Sequence, residues 1–244
     1  MWQFYQRLQP VQALSFDLDD TLYDNVPVIL RAEQHVCDFI ARQVPALAHL
    51  DVDAWRVRRE QMAAENAELA SNMTALRLAT LRRTFTEFAV TNVEALSLAA
   101  MEEFLNARNQ VDIDPQVHDL MAKLANHLPL VAISNGNVDV QKIGLAHYFQ
   151  ATFQPGEWRG RTLRGKPFTD MFVAAADTLQ LRNPAGLLHI GDHPISDVQG
   201  AHAFGAQAVW LQPAASGRAS VETLPRLPHA TITRLQALAD LLPR

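Results

Sequence analysis

At 244 residues, 48% hydrophobic and 19% charged, the chain is long enough to bury a full core and fits one large domain or one domain with an insert. A formal net charge of -5 gives no general attraction to nucleic acid or to anionic membrane. The N-terminal stretch Met1 to Pro10 lacks the apolar core of a signal peptide and no later run approaches membrane-spanning length, so the cytoplasm is the expected location. The single cysteine, Cys37, has no internal disulfide partner and sits in an apolar helical pattern, where it reads as a packing residue.

In chain order, the first apolar run is Ala13-Leu14-Ser15-Phe16, a strand that ends in Asp17-Leu18-Asp19-Asp20-Thr21. Carboxylates at a strand end sit where loops hold functional groups. Crowded acids repel one another, so a cation or a lysine is required nearby. From Pro45 to Pro115 there is neither glycine nor proline between the two, and this stretch reads as helix. Three sets recur at helical spacing: Val28, Ala32, Val36, Phe39 and Ile40; Leu78, Leu81, Phe85 and Phe88; and Val93, Leu96, Ala100 and Phe104. Pro27 suits a first helical position. The second half instead alternates short apolar runs with helix-length segments: Leu130 to Ile133, Leu187 to Ile190 and Ala208 to Leu211 read as buried parallel strands. The pattern predicts an α/β core spanning 1–24 and 115–244 with a helical insert at 25–114. The stretch Pro213 to Arg226 reads as loop, and Gly156 to Gly165 as a surface hairpin.

Four short sites follow one another at strand ends or loops of this core: Asp17 to Thr21, Ser134-Asn135-Gly136-Asn137, Gly165-Lys166-Pro167, and Gly191-Asp192-His193-Pro194-Ile195-Ser196-Asp197. In order and spacing they resemble the four motifs of the haloacid dehalogenase (HAD) superfamily of phosphohydrolases. The resemblance covers essentially the whole chain and implies a Rossmann-like three-layer core with a parallel sheet plus an inserted all-helical C1-type cap that controls access to the site. It implies that Asp17 attacks phosphorus to form an aspartyl-phosphate, while Asp19 protonates the leaving oxygen and then deprotonates water. Magnesium is the implied cofactor, with Asp17, the Asp19 main-chain carbonyl and Asp192 as ligands, and Asp197 as a ligand or an orienting group. Ser134, Asn135, Thr21 and Lys166 are implied to bind the phosphoryl group, Lys166 also offsetting charge in catalysis.

Other readings of the same residues are plainer. Asp19 and Asp20 suit a turn, and Asp20 is read only that way. Asp197 suits a helix cap, and His193 departs from the fourth motif's usual small or acidic residue. Arg77, Arg82 and Arg83 are read as a solvated helix face, with Trp55 and Trp158 in the cap core or a loop.

Asp19 favours phosphoryl transfer over dehalogenation, and Asp20-Thr21 argues against a sugar phosphomutase, whose relatives usually carry glycine after the second acid. A phospholigand-binding module would have lost the nucleophile or the metal acids. Leu14 to Asn25, Pro27 to Arg31 and Val131 to Asn137 further resemble the YigB-like group of bacterial phosphatases, associated with flavin mononucleotide and with the phosphorylated ribitylaminouracil intermediate of riboflavin synthesis. The expected substrate is a small phosphorylated metabolite, with phosphoglycolate the alternative. The expected partners include neither nucleic acid nor membrane, and the chain is expected to be a monomer or a homodimer.

Overall fold

A computed structural model describes residues 1–212 and 224–242, so most of the expected loop at 213–226 lies outside the described residues. Two compact units emerge: Met1–Asp24 with Asp112–Gly136 and Gly144–Arg244, and Asn25–Val111 with Asn137–Ile143. The short piece 137–143 thus groups with the helical unit, although sequence pattern alone assigned it to the core.

The first unit is built on a seven-stranded sheet. Its strands are β1 (Trp2–Phe4), β2 (Ala13–Phe16), β3 (Leu130–Ile133), β4 (Ala151–Phe153), β7 (Leu187–Gly191), β8 (Gln207–Leu211) and β9 (Ala230–Ile232), in the order β1-β9-β8-β7-β2-β3-β4. All neighbours pair in parallel except β1, which runs antiparallel to β9 at the edge. The expected parallel sheet therefore gains an antiparallel margin, made by a three-residue strand too short to show periodicity. Strands β2, β3, β7 and β8 are buried at every position, as their predominantly apolar runs required. A separate hairpin pairs β5 (Gly156–Trp158) with β6 (Arg161–Leu163), in agreement with the hairpin expected there.

Helices α6 (Pro115–Ala125), α7 (Asp170–Leu179) and α8 (Gly200–Phe204) connect these strands. Asp114 accepts a hydrogen bond from Gln116 N and Pro115 opens α6, a paired start signal. Val131, Ile133, Phe153, Met171, Phe172, Leu187, Ala208 and Trp210 form the core on one side of the sheet.

The second unit is helical: α1 (Val26–Gln43), α2 (Val52–Glu65), α3 (Ala67–Ala70), α4 (Met73–Glu87) and α5 (Val93–Arg108). Past Pro45 the unit has neither glycine nor proline, and side-chain caps mark its helix starts, where Asp51 accepts from Ala54 N, Asn66 from Glu68 N and Leu69 N, and Asn72 from Ala75 N. Ala32, Val36, Ile40, Leu81, Phe85, Ala100 and Phe104 close its core together with Cys37 and Trp55. One expectation fails here. Arg77 is buried, stacks 3.7 Å from the centre of the Phe104 ring and pairs with the buried carboxylate of Glu33, which Arg56 and Arg59 also meet. The helical period placed Arg77 among apolar neighbours, but only the acid on α1 explains why it stays there. Arg82 and Arg83 are exposed, as expected, and pair with Glu94 and with Glu65 and Glu87. Among the described residues no helix is long and apolar enough to cross a membrane.

Candidate active site

Strand β2 delivers Asp17 to the end of the sheet, and the chain then turns sharply. Thr21 N and Leu22 N both donate to Leu18 O, and Asp20 adopts a left-handed φ of 55°, which an aspartate tolerates better than most residues. The turn brings Asp19 back over the strand end, where Tyr23 Oη donates to its Oδ1. Gly136, just after β3, lies against the other oxygen. A Cβ there would stand 2.4 Å from Asp19 Oδ2, so this approach requires glycine.

Lys166 enters from the loop between the hairpin and α7, and its ammonium is wholly enclosed. Nζ lies 2.5 Å from Asp197 Oδ1 and 3.0 Å from Asp17 Oδ1. Its main chain is clamped by Asn135: Lys166 N donates to Asn135 Oδ1 at 2.6 Å, and Asn135 Nδ2 donates to Lys166 O at 2.8 Å. Asn135 Oδ1 and one Nδ2 hydrogen are thus committed to the lysine loop. Ser134 Oγ, at the end of β3, accepts from Gly136 N at 3.1 Å.

Beyond β7, Trp210 Nε1 donates to Asp192 O at 2.6 Å, and Thr21 Oγ1 reaches Asp192 Oδ1 at 3.4 Å. The segment Pro194–Gln199 is a π-helical turn, a rare form common at functional sites. Its cap is His193, whose Nδ1 accepts from Ile195 N and Ser196 N. Asp197 therefore does not cap the following helix. It lies within the turn, buried, its Oδ1 taking Lys166 Nζ and His189 Nε2 and its Oδ2 taking His193 N.

Three carboxylates, Asp17, Asp192 and Asp197, present oxygens that all lie within 4.8 Å of one another, with one ammonium among them. Burial is the largest influence and raises Asp17 to about 7; Lys166 opposes this while Asp197 and Asp19 reinforce it. Asp192 is raised to about 7 by burial, then by Asp197 and Asp20. Burial would raise Asp197 as well, but Lys166 and His189 outweigh it and hold this acid well below the usual carboxylate range. The ammonium thus serves Asp197 first and leaves the other two acids under-neutralised. Asp17 Oδ1 is enclosed and faces Lys166 without a well-aligned hydrogen bond. This hard-oxygen donor set, short of positive charge, fits a magnesium ion.

Sequence pattern foresaw Asp17, Asp19, Thr21, Ser134, Asn135, Lys166, Asp192 and Asp197, and the first unit contains all of them. It missed Ser15, Tyr23, His189 and Trp210, which contact or support them. The signal for two of these was a polar residue inside an otherwise apolar buried strand.

Comparison with known proteins bears on this geometry. The sequence profile of a family described as "haloacid dehalogenase-like hydrolase" matches residues 11–205. The chain is 36% identical over 243 residues to the 5-amino-6-(5-phospho-D-ribitylamino)uracil phosphatase YigB of Escherichia coli (strain K12), covering 98% of this chain and 100% of that one. It is 28% identical over 229 residues to a phosphoserine phosphatase of Thermus thermophilus, covering 82% and 88%. Among solved structures, a 2-haloacid dehalogenase from Pseudomonas syringae pv. Tomato DC3000 superposes with a TM-score of 0.83 at 33% identity, covering 95% and 97%.

Proposed function

The chain belongs to the haloacid dehalogenase-like hydrolases and is a phosphoric monoester hydrolase, and on that footing we propose that it hydrolyses a small phosphorylated metabolite bearing a ribityl or sugar chain and a ring, with flavin mononucleotide the first candidate. Full-length similarity to a phosphatase of a ribitylamino-uracil phosphate supports the substrate class. The arrangement of Asp19 carries the chemistry: a second acid, tied by Tyr23 and backed by Gly136, two residues from a nearly buried Asp17.

In this reading an Asp17 oxygen attacks phosphorus, the ester P–O bond breaks, and the leaving oxygen takes the proton of the Asp19 carboxyl group. Asp19, now a carboxylate, removes a proton from water, whose oxygen attacks phosphorus as the bond to Asp17 breaks. Lys166 balances charge on Asp17 and on the equatorial oxygens, and Ser134 Oγ, Thr21 Oγ1 and the Asn135 main chain donate to those oxygens. The carboxylates of Asp17 and Asp192 and the Asp19 carbonyl would hold magnesium, Asp197 orienting the site from behind. When bound, the ion offsets the repulsion between these acids and a phosphate dianion. Core and cap are proposed as 1–24 with 115–244, and 25–114, apart from the piece 137–143 that groups with the helical unit.

The dehalogenase among the structural relatives raises a second reading. The acid at position 19 weighs against it, since displacement of halide needs no proton donor at the leaving group.

The test is a panel of flavin mononucleotide, ribityl and sugar phosphates, phosphoserine, 2-phosphoglycolate, nucleotides and 2-chloropropionate, assayed with magnesium and with chelator. Highest kcat/KM on flavin mononucleotide or a ribityl phosphate, abolished by chelator, is expected. Preference for phosphoglycolate or phosphoserine overturns the substrate, chelator-insensitive turnover overturns the metal, and halide release overturns the reaction.

A further inference from the structure

Strands β2 and β7 pair with Ser15 directly opposite His189, and both side chains are completely buried. Ser15 Oγ lies 2.9 Å from His189 Nδ1, and His189 Nε2 lies 3.0 Å from Asp197 Oδ1. The same oxygen takes Lys166 Nζ, which in turn reaches Asp17 Oδ1. Asp17 is two residues along the chain from Ser15, so the path closes into a ring: Ser15, His189, Asp197, Lys166, Asp17 and back through the main chain of β2. An ionised carboxylate only accepts, so the bond to Asp197 fixes the imidazole proton on Nε2 and leaves Nδ1 to accept from the Ser15 hydroxyl. The edge-on contact of Phe172, 5.0 Å between ring centres, sets the plane of the imidazole.

We infer that His189, anchored by Ser15, is a positioning residue that fixes the Asp197 carboxylate so that Lys166 is held between Asp197 and Asp17. The inference rests on the proposed roles of Asp17 and Lys166. Without the donor at Nε2, Asp197 Oδ1 keeps only the ammonium as partner. The carboxylate is then free to rotate about its remaining bond to His193 N, and Lys166 follows its principal counter-ion away from Asp17. The orienting logic is that of groups behind a metal ligand, whose loss costs roughly 10- to 100-fold in activity.

The experiment compares His189→Leu, which removes both ring nitrogens, with His189→Gln, whose amide nitrogen can reach the Nε2 position and donate to Asp197. Turnover of p-nitrophenyl phosphate with saturating magnesium and the thermal midpoint are measured on the full chain, alongside the ¹⁵N shifts of the wild-type imidazole. Expected are a kcat fall of roughly 10- to 100-fold for His189→Leu, recovery to within a few-fold in His189→Gln, and a neutral Nε2–H tautomer. Adding Ser15→Ala to His189→Leu costs nothing more, since the two act through one path. Wild-type kcat in both His189 variants, an equal fall in both, or an Nδ1–H tautomer overturns the inference. The tautomer is read on the wild-type protein and decides even if a variant fails to fold. Inactivity of the wild-type enzyme towards every phosphomonoester overturns the proposed function instead, and the tautomer still decides for or against the ring.

Discussion

Gly136→Ala isolates Asp19 from the rest of the site. The added methyl would stand 2.4 Å from Asp19 Oδ2 and 3.2 Å from its Cγ, where ordinary contact begins at 3.4 Å. The carboxylate must therefore retreat by about 1 Å (3.4 minus 2.4), a displacement of a size that costs about 10²-fold when it disturbs a reacting group. Rotation offers little relief, because Tyr23 Oη holds the other oxygen. Gly136 is not among the glycines with a positive φ, so alanine adopts its backbone without strain and the fold should be nearly as stable. The predicted signature is a fall of about 10² in kcat on p-nitrophenyl phosphate with magnesium, with KM and thermal midpoint close to wild type. Adding Tyr23→Phe removes that hydroxyl tie and should not restore the rate, since the acid is then less well aligned. Wild-type kcat in Gly136→Ala would refute the reasoning, because the proton donor could not then depend on the observed position of Asp19.

Gly191→Ala should be more damaging, because its Cβ would fall 2.2 Å from Asp197 Cγ and that buried carboxylate is tied by three donors; both kcat and thermal midpoint should drop, and an unchanged midpoint would contradict the packing. Glu33→Gln leaves Arg59 and Arg77 without their carboxylate inside the helical unit and should cost about 3–5 kcal/mol in denaturant unfolding. Burial would raise the Glu33 pKa, but Arg59, Arg77 and Arg56 outweigh it and hold it below the ordinary 4.5. The unfolded chain therefore binds the proton first, so this stabilisation is complete above about pH 5 and shrinks as pH falls through the folded-state value. The gap between wild type and Glu33→Gln should narrow below pH ~4.5, and a gap that stays constant to pH 3 would remove Glu33 as its source. Cys37, raised to about 11 by burial and by Glu33 and Asp38, should resist a thiol-specific disulfide reagent at pH ~8 until the protein is denatured; prompt native reaction would show an accessible thiolate.

Legibility in the sequence followed the range of the physics involved. The strands β2, β3, β7 and β8 were readable because a strand buried on both faces is predominantly apolar, a rule that acts within four or five residues. The strands β1, β4 and β9 were not: three residues carry no period, and their pairing is decided by neighbours far along the chain. The helical block showed through its lack of glycine and proline, but its internal breaks were hidden because Asp51, Asn66 and Asn72 interrupt it with side-chain hydrogen bonds, and an Asp or Asn inside a helical pattern does not by itself announce such a bond.

The site divides along the same line. Asp17, Asp19, Lys166, Asp192 and Asp197 stood out because ionisable groups at strand ends need a reason to be there. Much of what holds them stayed out of view, since several of these contacts join residues distant in sequence. Asn135 and Lys166 are 31 positions apart, and Ser15 and His189 are 174 apart. Yet Ser15 and His189 left one trace each, a hydroxyl and an imidazole inside runs that otherwise contain only apolar side chains. A polar group completely buried in a central strand must find a partner there, and two such groups on adjacent strands can satisfy each other only if the register sets them side by side. That register does so here, and the imidazole's second nitrogen then has to be answered from outside the sheet, which is the place Asp197 fills.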